Sequence, residues 1–381
     1  MLKTERPKFF SYAALENIFW QRKKQLFLFL FHSLVKIFFW NYLMNNYVTS
    51  EDDFLALIAE KFSNTHPSLI LGRGDDCAEI ACPSQLAVST DVFLEDIHFR
   101  RSYFSPFEIG YKALAVNISD IAAAGANPLG VSVGLVTPTP FPRAEANGIL
   151  DGMLRAAKEH GIALTGGDLS RGDKLTFCVT IFGAPSIPEG KTPRFLRRGP
   201  VAPGDKLFVC GRLGLARAGL LLLEEYGKNA TADFPTACAA HLMPVPLVQT
   251  GMALASVPGC RVMDVSDGLA RDLPRMLKAY GADCGADILL PETALHPEVI
   301  AYAHKNGYSS AHFAFLGGED YALLGACPAD ATGYLESAVQ TLPDGMPFLY
   351  LGTVTEQPGI ICNGERLTDA GFDHFSQRND I

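Results

Sequence analysis

The chain has 381 residues, 48% hydrophobic and 19% charged, the balance of a globular protein with room for two cores. Its 32 Lys and Arg against 41 Asp and Glu leave a net charge of −9, which argues against a nucleic-acid binder that neutralises phosphates with a basic stripe. Nine cysteines, an odd number with no C-x-x-C pair, argue against a disulfide scaffold and read as buried, reduced thiols of a cytosolic protein.

Residues 1–48 stand apart. They hold both tryptophans (Trp20, Trp40) and no glycine, and seven Lys/Arg against two Glu give them +5, leaving −14 for the remainder. The run Leu26–Met44 has the length of a membrane span, but Lys36 near its centre costs about 3 kcal/mol on an insertion scale. Arg22, Lys23 and Lys24 before it and Glu51, Asp52 and Asp53 after it would send the remainder outside. No small-residue cleavage site follows, so a signal peptide is not expected. The expectation is an upstream start assigned to a chain whose initiator is Met44, with membrane contact only if the extension is real.

Asp53–Phe62 is amphipathic behind a cap-like Ser50-Glu51-Asp52-Asp53 and predicts a helix. Leu86–Phe93 and Phe177–Gly183 predict strands. Tyr111–Ala124 and Arg143–Glu159 predict helices, the first stopped by Gly125 with Pro128 beyond. Prolines 185, 188, 193, 200 and 203 mark a domain boundary. Beyond it, Lys206–Val209 predicts a strand and Leu215–Tyr226 a helix closed by Gly227. Arg261–Val265 predicts a strand running into a helix over Gly268–Tyr280. The alternation predicts fold class α/β (α+β type) in two domains, an N-terminal one over 49–190 and a C-terminal one over 204–376.

Eight islands of aspartate and glycine punctuate these elements: GRGDDCAEI (72–80), STDVFLEDIHF (89–99), ALAVNISDIAAAGANPLG (113–130), LTGGDLSRG (164–172), FLRRGP (195–200), DVSDGLARDL (264–273), GGEDYALL (317–324) and GFDHF (371–375). Two carboxylates 4 Å apart repel by roughly 1–4 kcal/mol at effective dielectrics of 80 to 20. A chain that keeps many such groups beside glycine-rich backbone needs cations, and hard oxygen ligands suit Mg²⁺ with phosphate. Taken singly, each island reads as ordinary structure. Asp75-Asp76 is a turn, Ser89-Thr90-Asp91 a strand end, and Asn117 with Asp120 a wet helix face. His98 alone is a surface or core histidine. Asp168 after Gly166-Gly167 is more pointed, because glycines let backbone N–H groups approach phosphate where a carboxylate holds a metal. Asp264-Val265-Ser266-Asp267-Gly268 lies at a strand-to-helix junction, where an N-cap or a phosphate fits. Gly190-Lys191-Thr192 is not a P-loop, since Pro185 replaces its first glycine and Pro193 blocks the helix.

In this order, the islands resemble the thiamine-monophosphate kinases of the aminoimidazole ribonucleotide synthetase-like superfamily, over about residues 50–376. The resemblance implies an N-terminal domain whose sheet pairs across a homodimer and a second α/β domain packed on it. It implies a cytoplasmic enzyme that moves the ATP γ-phosphoryl to thiamine monophosphate with several Mg²⁺ ions. By position, Asp76, Ser89, Thr90, Asp91, Asp120, Asp168, Asp264 and Asp267 would hold magnesium, with Asp91, Asp168 and Asp267 closest to the chemistry. Gly167, Asp168, Arg197 and Ser266 would contact ATP, with Arg198 an alternative to Arg197. His98, Glu319 and Phe372 would face the thiamine moiety. Departures are mild: Ala322, Gly325 and Val92-Phe93 replace commoner residues. Two other readings stay open: another ATP-dependent synthetase of the superfamily, and a non-catalytic nucleotide-binding regulator. Against the first, residues 1–71 lack the cysteine of a selenophosphate synthetase and the chain does not end in cysteine. Against the second, every carboxylate is present.

Overall fold

The computed structural model describes residues 12–81, 85–185, 194–342 and 346–367. Helix α1 (Tyr12–Asn46) leads through β1 (Tyr47–Val48) into α2 (Glu51–Lys61), whose N-cap Ser50 accepts the Asp53 N–H at 3.1 Å. A ribbon of β2 (Leu69–Leu71) and β3 (Glu79–Ile80) carries the first acidic island between its strands. Then follow β4 (Ala87–Leu94), α3 (Pro106–Ala123), β5 (Ala126–Thr137), β6 (Phe141–Pro142), α4 (Arg143–Glu159), β7 (Ala163–Arg171) and β8 (Thr176–Pro185). Strands β4, β8, β5 and β7 form one sheet in that order, with only β5 and β7 parallel. Helix α3 packs on this sheet and α4 packs on α3. Ser105 and Glu108 form a capping box at the start of α3, satisfying two backbone donors reciprocally.

The second half contributes β9 (Lys206–Cys210), α5 (Leu215–Tyr226), α6 (Pro235–Leu242), α7 (Val248–Leu254), β10 (Arg261–Asp264) and α8 (Leu269–Leu277). It continues through β11 (Gly285–Ile288), α9 (Pro297–Lys305), α10 (Ser310–Phe315), β12 (Leu323–Cys327), α11 (Thr332–Val339), β13 (Phe348–Thr355), β14 (Gly359–Cys362) and β15 (Glu365–Leu367). Its strands order as β10-β12-β9-β13-β11-β14-β15, antiparallel except for β11 with β14. The fold is α/β, with one large sheet in each half and two two-stranded ribbons, β1 with β6 and β2 with β3, in the first. Helix α3 is the joint between the halves: it touches β4, β5 and β8 on one side and α6, α7 and β10 on the other.

That enclosure corrects one expectation. Asn117 is not on a wet face but fully buried, its amide donating to the Ala113 carbonyl at 2.9 Å. A second correction concerns the cysteines, since Cys77 and Cys178 are exposed. On β8 the period of two buries Phe177, Val179 and Ile181, so Cys178 points away from α3. The helix expected over Gly268–Tyr280 stops at Leu277, and a 3₁₀ turn with Tyr280 at φ 58° follows. Helices α4 and α5 have the expected bounds. Among the described residues, no helix is long and apolar enough to cross a membrane.

Candidate active site

Strand β4 turns Ser89 and Asp91 toward α3, while Thr90 between them faces the other way and its hydroxyl meets that of Thr180 at 2.9 Å. Helix α3 meets this strand with Asp120, which accepts a short hydrogen bond from the Ser89 hydroxyl. One residue earlier on the same helix, the Ser119 hydroxyl donates to Asp264 Oδ2 at 2.6 Å, at the end of β10. Three carboxylates from three elements therefore share one electric field. Burial, then repulsion from Asp120, pushes the Asp91 carboxyl up to about 6. The same two causes push Asp264 up to about 7. Burial also raises Asp120, opposed by the Ser89 hydrogen bond and by the charge of Arg198. Carboxylates that resist ionisation because they are desolvated and, at Asp91 and Asp264, because a neighbour is negative are where a cation gains most. Among the described residues no three His, Cys, Asp or Glu side chains form a ready metal-binding group. The donor chemistry nevertheless fits magnesium, since carboxylates and hydroxyls are its preferred ligands and it keeps several waters of its own.

The remaining expected ligands sit differently. Asp76 is exposed in the turn between β2 and β3, where its N–H donates to Asp75 Oδ1 at 2.8 Å. Arg73 anchors that turn through bonds of 2.7 Å to the Leu164 and Phe62 carbonyls. Asp168 is exposed on β7 next to Gly167, where an added Cβ would lie 1.9 Å from the Val133 carbonyl oxygen of β5. The Asp267 carboxylate is already engaged by Arg275 at 2.7 Å and Arg271 at 3.6 Å. Its N–H donates to the fully buried Asp272 at 2.9 Å.

Two loops close the site from the C-terminal half. The N–H groups of Glu319 and Tyr321 donate to the carbonyls of Ser266 and Val265 at 2.7 and 3.0 Å. The loops approach so closely that a Cβ on Gly268, at φ 92°, would lie 2.9 Å from the Gly317 carbonyl oxygen. Glu319 and Tyr321 themselves adopt left-handed backbone, at φ 62° and 49°. A non-glycine residue in such a region costs of order 1–3 kcal/mol, and paired instances cluster at functional sites. Burial, and then Glu319, Asp264, Asp91 and Asp120 in turn, hold the Tyr321 phenol well above its ordinary range, so this ring lies among the site carboxylates. The Glu319 carboxylate meets two buried groups, Lys112 of α3 at 3.2 Å and His241 of α6 at 3.0 Å.

His98 accepts the Leu94 N–H on Nδ1 at 3.0 Å and stacks on Phe93 with ring centroids 5.8 Å apart, so its proton sits on Nε2. Arg197 and Arg198 are exposed; the Arg197 carbonyl receives the Val262 N–H at 2.9 Å, whereas the charge of Arg198 acts on Asp120. Phe372 and its island lie outside the described residues. Sequence reasoning missed Ser119, Tyr321, Lys112 and His241. Ser119 and Tyr321 adjoin residues that were singled out, whereas Lys112 and His241 carry no local signal.

A family model described as AIR synthase related protein, N-terminal domain, matches residues 74–184, which span β3 to β8. The thiamine-monophosphate kinase of Escherichia coli K12 is 35% identical over 333 residues, 84% of this chain and 98% of the relative. That of Bacillus subtilis is 33% identical over 321 residues, 81% of this chain and 95% of the relative. This chain belongs to the thiamine-monophosphate kinase family. Solved members share its fold: a ThiL structure complexed with AMPPCP and TMP matches with a TM-score of 0.65 at 27% identity, covering 85% of this chain and 97% of that one. The hydrogenase maturation protein HypE of E. coli matches with a TM-score of 0.64 at 25% identity, over 84% of this chain and 98% of that one. The kinase family and HypE therefore share a scaffold, and the sequence falls with the kinases.

Proposed function

We propose that this protein transfers the γ-phosphoryl group of ATP to thiamine monophosphate, giving thiamine diphosphate, in the cytoplasm. The observation that carries the reading is the meeting of Asp91, Asp120 and Asp264 from both halves of the chain, beside two interlocked glycine-acid loops. Similarity supports it too, since the Escherichia coli and Bacillus subtilis relatives are named for this activity and a solved relative is described with an ATP analogue and TMP.

Asp91, Asp120 and Asp264, with Ser89 and Asp168, would hold magnesium, which when bound supplies the positive charge that lets two phosphates approach. Asp76, Asp267 and the backbone of Thr90 would complete the set as the surrounding loops engage nucleotide. Gly167 would let backbone approach the ATP phosphates. Ser266 would donate to them, and Arg197 or Arg198 would pair with them. His98 and Glu319 would orient the thiamine moiety, with Phe372 stacking on it. The acceptor is a phosphate, ionised and nucleophilic at neutral pH, so no side chain has to remove a proton. Catalysis by in-line displacement then rests on positioning and charge.

The same reading divides the chain into domains at 49–190 and 204–376 and makes it a homodimer through the β4-β8-β5-β7 sheet. Val88 and Val92 support this, being 58% and 52% exposed on β4 on the face opposite α3. The test is direct: the full chain is given ATP, Mg²⁺ and thiamine monophosphate, and thiamine diphosphate is followed by chromatography. Product that requires metal and ATP, and does not arise from free thiamine, is the expected result. No product from a protein that still binds ATP would move the search to other phosphate acceptors of the superfamily.

A further inference from the structure

Lys112 is a lysine with no solvent exposure, in the middle of α3. A buried ammonium needs a counter-charge, and among the described residues its ion pair is with Glu319, both of whose carboxylate oxygens lie 3.2 Å from Nζ. Its other neighbours are the Phe104 ring, 5.4 Å from Nζ to the centroid, and His241 Nδ1 at 3.5 Å. His241 in turn is 2% exposed, crosses the Phe104 ring edge-on, and lies 3.0 Å from Glu319 through Nδ1. Its Nε2 is buried and has no partner among the described residues.

The tautomer follows from these contacts. A proton on Nε2 would orphan a buried donor and set the Nδ1 lone pair against a carboxylate. A proton on Nδ1 instead makes a charge-assisted hydrogen bond to Glu319 and leaves an acceptor rather than a donor unpaired at Nε2. The carboxylate thus receives an ammonium and an imidazole N–H from elements 207 and 78 residues away in sequence. The three groups differ in access: the side chains of Lys112 and His241 are 0% and 2% exposed, whereas that of Glu319 is 26% exposed. Only the carboxylate faces outward, on a loop bonded to Ser266 and beside Tyr321, which feels the site carboxylates.

We propose that Lys112 and His241 are positioning residues that fix the Glu319 carboxylate, ionised and in one orientation, for the cationic thiamine moiety of the acceptor. The inference rests on the reading above that Glu319 meets that moiety. Burial would raise the Glu319 pKa, but the charge of Lys112 and the hydrogen bonds from His241 and Lys112 oppose it, and the group is held well below the ordinary glutamate range. Burial, and then Lys112, keep His241 below its ordinary value, in keeping with a neutral N–H donor. Because Lys112 balances the carboxylate and His241 adds no charge, the seam between α3 and α6 carries no net positive charge to repel a cationic ring.

The experiment is a double-substitution cycle in the full chain, reading KM for thiamine monophosphate and for ATP separately. Glu319→Gln is expected to raise the KM for thiamine monophosphate by tenfold or more and that for ATP by less than twofold. His241→Leu is expected to raise the acceptor KM about as much as half of that loss on a logarithmic scale. His241→Asn, whose amide reproduces the Nδ1 donor, recovers most of it. Lys112→Met combined with Glu319→Gln is expected to give an acceptor KM no worse than Glu319→Gln alone, because the lysine acts through the carboxylate. If Lys112→Met does not fold, the His241 pair and Lys112→Arg carry the test. Should Glu319→Gln leave the acceptor KM unchanged, the reading of Glu319 as a substrate residue fails. Should Glu319→Gln raise it while His241→Leu and His241→Asn both leave it unchanged, the reading stands and the positioning role is overturned.

Discussion

The Ser119 hydroxyl donates to Asp264 Oδ2 at 2.6 Å, joining a helix of the first half of the chain to a strand end of the second. The next residue, Asp120, is held from the opposite side by Ser89 of β4. Two consecutive residues of α3 thereby bond to a strand of each sheet, to the Ser89 hydroxyl of β4 and the Asp264 carboxylate of β10. Ser119→Ala keeps every carboxylate but frees Asp264 to turn. The expected result is a loss of about 10–100-fold in magnesium affinity or turnover, the usual cost of removing a hydrogen bond to a metal ligand. A Mg²⁺ titration of initial rates checks it.

Removing a ligand itself should cost more. Asp91→Asn and Asp168→Asn are each expected to lower turnover by more than about 100-fold and to shift the Mg²⁺ dependence upward. Full rate with unchanged metal dependence in either variant would refute the assignment of these aspartates.

The raised carboxyls of Asp91, about 6, and Asp264, about 7, make a signed prediction. In the unfolded chain both ionise near the ordinary aspartate value of about 4. Between that value and pH 7 the folded state therefore holds more protons, and stability falls as pH rises. Thermal melting of the metal-free protein should show this decline from pH 4.5 to 7.5 relative to an Asp264→Asn variant. Added Mg²⁺ should reverse it at the upper end, because a bound cation favours the ionised form. A decline unaffected by either change would place its origin elsewhere.

Gly268 serves two requirements at once, a φ of 92° and a gap too narrow for a Cβ beside Gly317. Gly268→Ala is expected to destabilise the fold by about 1–3 kcal/mol and to part the loops bearing Ser266 and Glu319. Chemical denaturation reads the first effect. KM values for both substrates, each expected to rise, read the second.

If the β4-β8-β5-β7 sheet pairs across a dimer, Val92 on its open face is the residue to charge. Val92→Lys, at a position already 52% exposed, should leave the circular dichroism spectrum unchanged and shift the sedimentation coefficient to that of a monomer. An unaltered dimer would move the interface elsewhere.

Much of the local structure was determined by the sequence itself. The bounds of α4 and α5 follow from apolar periodicity with a proline or glycine at the ends, signals that act within one turn of chain. The order of the acidic islands was likewise enough to identify the family and to name Asp91, Asp120 and Asp264 among eight expected magnesium ligands, though not to group these three. Which partners those residues meet was decided only by tertiary structure. Strand alternation sent Thr90 to Thr180 and away from the carboxylates on either side of it. Packing on two sides buried Asn117 on a helix face that reads as wet, and buried Lys112 elsewhere on the same helix. Lys112, His241 and Glu319 come from residues far apart in sequence, and Ser119 reaches a carboxylate 145 residues away. No periodicity or spacing records such pairs, because they arise when two sheets close on one helix, and a buried charge then has to find its partner in whatever elements that closure brings within reach.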